Sequence, residues 1–232
     1  MAKKPADRPV GAIVDPLPPG NKPDRRILFG RWVRLEPVSV AAHGNALFES
    51  FAGKDPDGRL WTYMGYGPFA DRAAFLAWLQ QRESARDPWF YAFVARSDQR
   101  AAGMGAFMRY DGPNGVIEIG HIWMAPALQR TREASEAIYL MMRHGFDELG
   151  VRRLEWKCDA LNAPSRRAAK RFGFTFEGVF RQHMIIKGRN RDTAWFAMLD
   201  HEWPAVRAAF QAWLKDANFD EAGRQKAPLR VA

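Results

Sequence analysis

The chain of 232 residues carries a formal charge of +9, and its apolar fraction of 47% with nine Trp is ample for one globular domain with tails. A single Cys158 excludes an intramolecular disulfide and suits a reducing cytoplasm; no apolar run is long enough to cross a bilayer, and the start MAKKPADRPV lacks the apolar segment of a secretory signal. The basic balance favours an anionic partner, but no helix-turn-helix, zinc-finger or aromatic RNA-binding signature accompanies it, so nucleic acid is not expected.

Residues 1–27 are rich in Pro, Lys, Asp and Gly and read as an extended or disordered tail. Arg31 to Val38 reads as the first strand. Ser39 can cap a helix through Ala46, Leu47 and Phe51, and Asp71 one carrying Phe75, Leu76, Trp78 and Leu79. Between them lies the aromatic run LWTYMGYGPF. Trp89 to Arg96 and Ala101 to Tyr110 are strands, and Asp111 to Gly115 (DGPNG) is a turn leading into Val116. The apolar run from Val116 suits a strand buried on both faces, ended before Pro126. A polar loop, Gln129 to Glu133, precedes a helix from Ala134 to Leu149. Leu154, Trp156 and Cys158 alternate with charged residues in a half-buried strand, and Asn162 opens a helix closed by Gly173. Phe174 to Ile186 and Thr193 to Leu199 form the last hairpin. A helix follows from Trp203 to Leu214, and 217–232 read as a frayed polar tail. No internal repeat or second domain is evident. Residues 28–216 form one α/β domain with a mixed, mostly antiparallel sheet and helices on both faces.

A buried strand, a loop of backbone N–H groups and a helix N-terminus make an anion site. The stretch Gln129-Arg130-Thr131-Arg132-Glu133-Ala134 resembles the pyrophosphate loop Gln/Arg-x-x-Gly-x-Gly/Ala of the GCN5-related N-acetyltransferases, the GNAT superfamily. Ala134-Ser135-Glu136-Ala137 and Asn162-x-x-Ser165…Gly173-Phe174 resemble its ribosomal-protein, RimJ/RimL-like branch. The likeness covers roughly residues 28–200. It implies a GNAT fold with a six- to seven-stranded sheet, acetyl-CoA as cosubstrate without a metal, and transfer to a primary amine on a protein N-terminus or small molecule. The implied partners are a CoA thioester and an amine acceptor, not a membrane, for a monomer or homodimer in the cytoplasm. A non-catalytic GNAT-fold module binding acyl-CoA or a protein is the alternative. Arg132 stands where the family has glycine; a left-handed backbone there would cost an arginine on the order of 1–2 kcal/mol, which a phosphate contact could offset.

The resemblance assigns the cofactor to the backbone of Ile122, Trp123 and Met124, to Gln129 through Ala134, and to Asn162. It places Trp61, Tyr63 and Tyr66 at the acceptor wall; the same aromatics equally suit core packing. Gly120 marks a bulge or a tight contact. Deprotonating the amine needs a carboxylate or imidazole. Glu118 and His121 are the candidates, on opposite faces by strand alternation, and Glu118 in its Glu-x-Gly setting is preferred. Asp192 in the last hairpin is a further candidate, or a turn cap. Many family members carry a tyrosine acid four residues before the Gly of Gly-Phe; here Ala169 stands there. Ser165, one turn earlier, is then the group to stabilise the leaving thiolate, or part of the helix cap. Arg166, Arg167 and Lys170 approach CoA phosphates or form a solvated face.

Overall fold

A computed structural model describes residues 8–231. Its strands are β1 (Leu28–Phe29), β2 (Val33–Pro37), β3 (Trp89–Ala95), β4 (Ala101–Asp111), β5 (Val116–Met124), β6 (Arg153–Asp159), β7 (Thr175–Ile186) and β8 (Arg189–Leu199). They form one eight-stranded sheet in the order β1-β2-β3-β4-β5-β6-β8-β7. The short β1, ahead of the expected first strand, raises the count above six or seven. Neighbours are antiparallel except β5 and β6, which run parallel.

Helices α1 (Val40–Phe51) and α2 (Arg72–Glu83) start where Ser39 accepts from the Ala42 N–H and Asp71 from the Ala74 N–H. They cover one face of the sheet, burying Leu47, Phe51, Phe75 and Leu79 against Phe90, Met104 and Trp123. On the other face, α3 (Arg132–Arg143) and α5 (Trp203–Trp213) bury Ala137, Ile138, Met141 and Phe210 with Ile117, Ile119, Leu154 and Phe196. Covered on both sides, β3 is an almost continuous apolar run, WFYAFVA, rather than an alternating one.

Helix α3 begins earlier than the apolar spacing suggests, because Thr131 caps it: its Oγ1 accepts from the Ala134 N–H at 3.1 Å. The turn His144–Glu148 widens into a π-helix that ends in a Leu149 N–H to His144 O bond of 2.9 Å. Helix α4 (Ala163–Arg171) is closed at Gly173, whose φ of 93° suits a residue without a Cβ.

Segments near both ends of the described residues touch this body. Residues 1–7, part of the expected tail, fall outside those described. Residues 8–27 hold no helix or strand, yet Pro18 and Pro19 press on Gly115 and Gly150 so closely that a Cβ at either glycine would fall 2.7 Å from a proline carbon. The expectation of a frayed tail after 216 is corrected. Phe219 and Leu229 are buried, and Trp213 Nε1 donates to the Ala227 carbonyl at 3.1 Å; these two apolar anchors, spaced among polar residues, dock the segment. A further tie was not foreseen. The buried Glu136 of α3 accepts from the backbone N–H groups of Arg31, Trp32 and Val33 at 2.8, 2.7 and 2.9 Å.

Candidate active site

Strands β5 and β6 pair only over Val116↔Arg153, Ile117↔Leu154 and Glu118↔Glu155. Beyond Glu118 both strands continue, to Met124 and Asp159, without pairing to each other. A notch therefore opens between them and leaves a strand edge for a ligand to pair with. On its β4 side, β5 pairs Ala106 with Gly120 but Met104 with Trp123. One extra residue is accommodated there, and His121 takes a left-handed φ of 51°. This is the bulge expected near Gly120. A side chain at Gly120 would sit 2.7 Å from Met108 Sδ, so glycine also serves close packing there.

The bulge overturns one expectation. Ile117 and Ile119 face α3, whereas Glu118 and Trp123 face the other way. Strict alternation would put His121 with Ile119. Instead its ring lies 5.7 Å from that of Tyr66 and 5.1 Å from that of Phe90, on the side of α1 and α2, so Glu118 and His121 share a face. Burial, together with the charges of Arg82, Arg109 and Arg191, pushes the His121 imidazole down to about 4, and it is neutral at pH 7. The folded state then binds its proton less readily than the unfolded chain, so stability falls as pH drops from 6.5 toward 4. His121→Phe should flatten that part of the profile in urea unfolding measured across this range; an unchanged slope would place the titration elsewhere.

Glu118, 5% exposed, closes the fork of the notch. Lys157 Nζ lies 3.1 Å from its Oε2 and Arg109 Nε lies 3.4 Å away. Lys157 also lies 2.6 Å from Glu155 Oε2 and 3.7 Å from the centre of the Trp195 ring. The Lys157 ammonium meets Glu118 as a buried ion pair, both side chains being almost fully enclosed. Burial raises the Glu118 carboxyl above its ordinary value, and the Lys157 and Arg109 charges only partly oppose that shift. A buried carboxylate whose proton affinity is raised in this way is suited to accept a proton.

The other arm of the notch leads to the start of α3. As at any helix start, the first N–H groups lack intrahelical acceptors, and those of Arg130, Arg132 and Glu133 donate to no atom of the described residues. Together with the helix dipole they suit a phosphate. The left-handed residue in the loop is Arg130, with φ 62°, rather than Arg132. Arg132 is the first helical residue, and its guanidinium turns away from the loop. It lies 4.0 Å over Trp32 and 4.7 Å over Phe219, with Asp216 at 3.5 Å. Glycine is dispensable at 132 because no unusual φ is required there. Gln129 braces the loop by donating to the Met124 carbonyl at 2.9 Å. Arg171, overlooked among the basic residues of α4, donates to Ser135 Oγ at 3.1 Å and lies 5.1 Å from the Trp213 ring centre.

The remaining candidates divide. Trp123 is buried in the core, so the backbone rather than the indole of Ile122–Met124 faces the notch. Trp61 is core, 2% exposed. Tyr66 stacks on His121, and Tyr63 Oη donates to the Leu161 carbonyl at 3.1 Å, which bridges the aromatic loop to the start of α4. Asn162 accepts from the Ser165 N–H at 3.1 Å, a helix cap, while Ser165 Oγ accepts from Trp156 Nε1 at 2.9 Å. Asp192 lies in β8 rather than in the hairpin turn; it accepts from the Gln182 N–H at 2.7 Å and the Asn190 amide at 3.0 Å, bracing the irregular stretch of β7 between Phe180 and Met184. Arg166 donates to the Ala160 carbonyl. Among the described residues, no three His, Cys, Asp or Glu side chains gather closely enough for a metal, and no helix is long and apolar enough to cross a membrane.

A family model for the acetyltransferase (GNAT) domain matches residues 33–175. A GCN5-related N-acetyltransferase from Brucella melitensis is 50% identical, over 93% of this chain and 96% of that one, with a TM-score of 0.89. A probable GNAT acetyltransferase from Chromobacterium violaceum is 42% identical, over 87% of this chain and all of that one, with a TM-score of 0.78. The uncharacterized N-acetyltransferase YnaD of Bacillus subtilis is 32% identical over 49% of this chain and 65% of its own length. The chain thus spans just under two thirds of the first curated relatives it matches. The strand fork, the β5 bulge and the capped start of α3 lie inside the matched region, and the chain belongs to the GNAT acetyltransferase family.

Proposed function

We propose that the protein is an acetyl-CoA-dependent N-acetyltransferase acting on a primary amine. The observation that carries this reading is the fork at Glu118↔Glu155, which opens beside a buried carboxylate and runs toward the unbonded N–H groups of the α3 start. Those groups, with Gln129 bracing the loop and Arg130 adding charge, suit a pyrophosphate; the free β5 edge around Ile122–Met124 suits the amide-bearing pantetheine arm. Bound acetyl-CoA supplies an activated acetyl thioester. The chain's own work is to hold that thioester still, remove a proton from the amine and stabilise the departing sulfur. Glu118 takes the ammonium proton, directly or through one water. The nitrogen lone pair then forms the C–N bond as the C–S bond breaks, and the surplus proton on the new amide nitrogen passes to the departing sulfur, which leaves as the thiol. Ser165 is our candidate to donate to that sulfur: its oxygen accepts from Trp156, and its proton, for which the Cys158 sulfur is the neighbouring acceptor, can turn to the departing thiolate.

Calorimetry should detect acetyl-CoA binding to the wild type, weakened at least tenfold by Arg130→Glu, the scale of one charge-assisted contact. Thiol release with a panel of amines then tests transfer. Binding without release from any amine would favour a non-catalytic acyl-CoA module; no binding at millimolar ligand would sink both readings.

A further inference from the structure

The polar groups facing the notch from the side of α1 and α2 are out of balance, and this bears on the acceptor if the protein is an acetyltransferase as proposed. Arg82 and Arg191 are both half-buried. Arg82 Nη1 donates to the Trp78 carbonyl at 3.2 Å and to Gln81 Oε1 at 2.7 Å, with its guanidinium 4.7 Å from the Trp78 ring centre. Arg191 Nε donates to Thr193 Oγ1 at 3.2 Å, and His183 Nδ1 meets the same hydroxyl at 2.9 Å. Among the described residues neither arginine has a carboxylate in ion-pairing range. The nearby carboxylates are taken: Glu118 by Lys157 and Arg109, Glu155 by Lys157 and Arg153.

A second imbalance lies beside the first. Tyr66 Oη, Trp78 Nε1 and Trp195 Nε1 are buried and make no hydrogen bond. Indole N–H groups can only donate. The rings carrying two of these groups stack toward the bulge, with Trp78 4.4 Å from Tyr66 and Tyr66 5.7 Å from His121. The third, Trp195, lies over Lys157 beside Glu118. The region thus offers cations without a carboxylate partner and unpaired donors, while both carboxylates at the fork, Glu118 and Glu155, are already engaged by other cations. Partly buried cations and donors are costly until an acceptor-rich anion meets them.

We infer that the acceptor is a primary amine that also carries a carboxylate. Its ammonium would lie beside Glu118, and its carboxylate between Arg82 and Arg191, within reach of the orphaned donors. Two sources share that chemistry: a free amino acid, and a peptide N-terminus with an acidic residue next to it. The assignment deepens the acetyltransferase reading and rests on it for the transfer step, but not for binding.

The test uses matched pairs with the full-length protein. One pair is phenylalanine and 2-phenylethylamine; the other is a short peptide with Asp at its second position and the same peptide with Asn. Two readouts run in parallel: thiol release from acetyl-CoA, and quenching of tryptophan fluorescence in the CoA complex, which needs no turnover. The carboxylate-bearing member of at least one pair should be preferred by about tenfold or more, the scale of one charge-assisted contact, and that pair identifies the source. Arg82→Gln with Arg191→Gln should bring the ratio close to one while circular dichroism melting reports an intact fold. Equal binding and turnover within both pairs overturns the inference, as does a preference that survives the double substitution. Quenching that keeps the preference without thiol release from any amine would remove acetyl transfer and leave the carboxylate site standing.

Discussion

Glu118→Gln should lower turnover by roughly 10²- to 10⁴-fold, the range of a positioned general base, with little change in acetyl-CoA affinity. The substitution keeps the shape of a side chain that is 5% exposed and removes its ability to take a proton. At neutral pH an acceptor amine is mostly protonated, so the deficit should be largest at low pH and shrink as the amine deprotonates unaided. The wild type should show an acid limb in kcat above the ordinary carboxylate value of 4.5, because burial raises this carboxyl; the Gln variant should lack it. Stability carries the same signature with the sign fixed. A carboxyl whose folded value is raised binds its proton more tightly in the native state. Its contribution is present below the ordinary value and is lost as pH rises to the raised one. Over that window the wild type should lose stability relative to Glu118→Gln. Stopped-assay thiol release and urea unfolding across pH measure both; turnover within twofold of wild type at low pH would remove Glu118 from the chemistry.

Glu136→Ala should cost about 3–5 kcal/mol of folding stability, since a charge-assisted hydrogen bond is worth roughly 1.5–3 kcal/mol and three backbone N–H groups lose their acceptor at once. The estimate lies well below the sum of three because the exposed Arg31 and half-buried Trp32 can recruit water, whereas the buried Val33 cannot. Glu136→Gln retains one acceptor oxygen and should lose about half as much. Denaturant unfolding with an unchanged m-value would report the loss as stability rather than as a changed unfolded state. A loss below about 1 kcal/mol, the usual size of a single neutral bond, would mean that the three N–H groups are served elsewhere.

The sheet was legible because its strands are apolar runs separated by strong turns, and both helix starts marked by Ser39 and Asp71 are capped by those residues. The family likeness of the loop was carried by Gln129 and Ala134. Periodicity failed where it was locally broken. The bulge at His121 inserts a residue that alternation cannot anticipate, although Gly120 hinted at it. Thr131, read as loop, caps α3 because its side chain reaches forward three residues. Glu136 sat within a family-like Ala-Ser-Glu-Ala run, where nothing local reveals that its partners lie about a hundred residues earlier. The docking of Phe219 and Leu229 was hidden because isolated apolar residues in a polar stretch carry no period.

The Arg132 stack has a consequence for the order in which the chain matures. Synthesis releases the N-terminal part first, so Trp32 is ready well before Phe219 and Asp216 emerge. The contact between Arg132 and Asp216 spans 84 residues, and such non-local closures form late. A nascent chain can therefore build the whole sheet while the beginning of α3 still lacks one jaw of its vice.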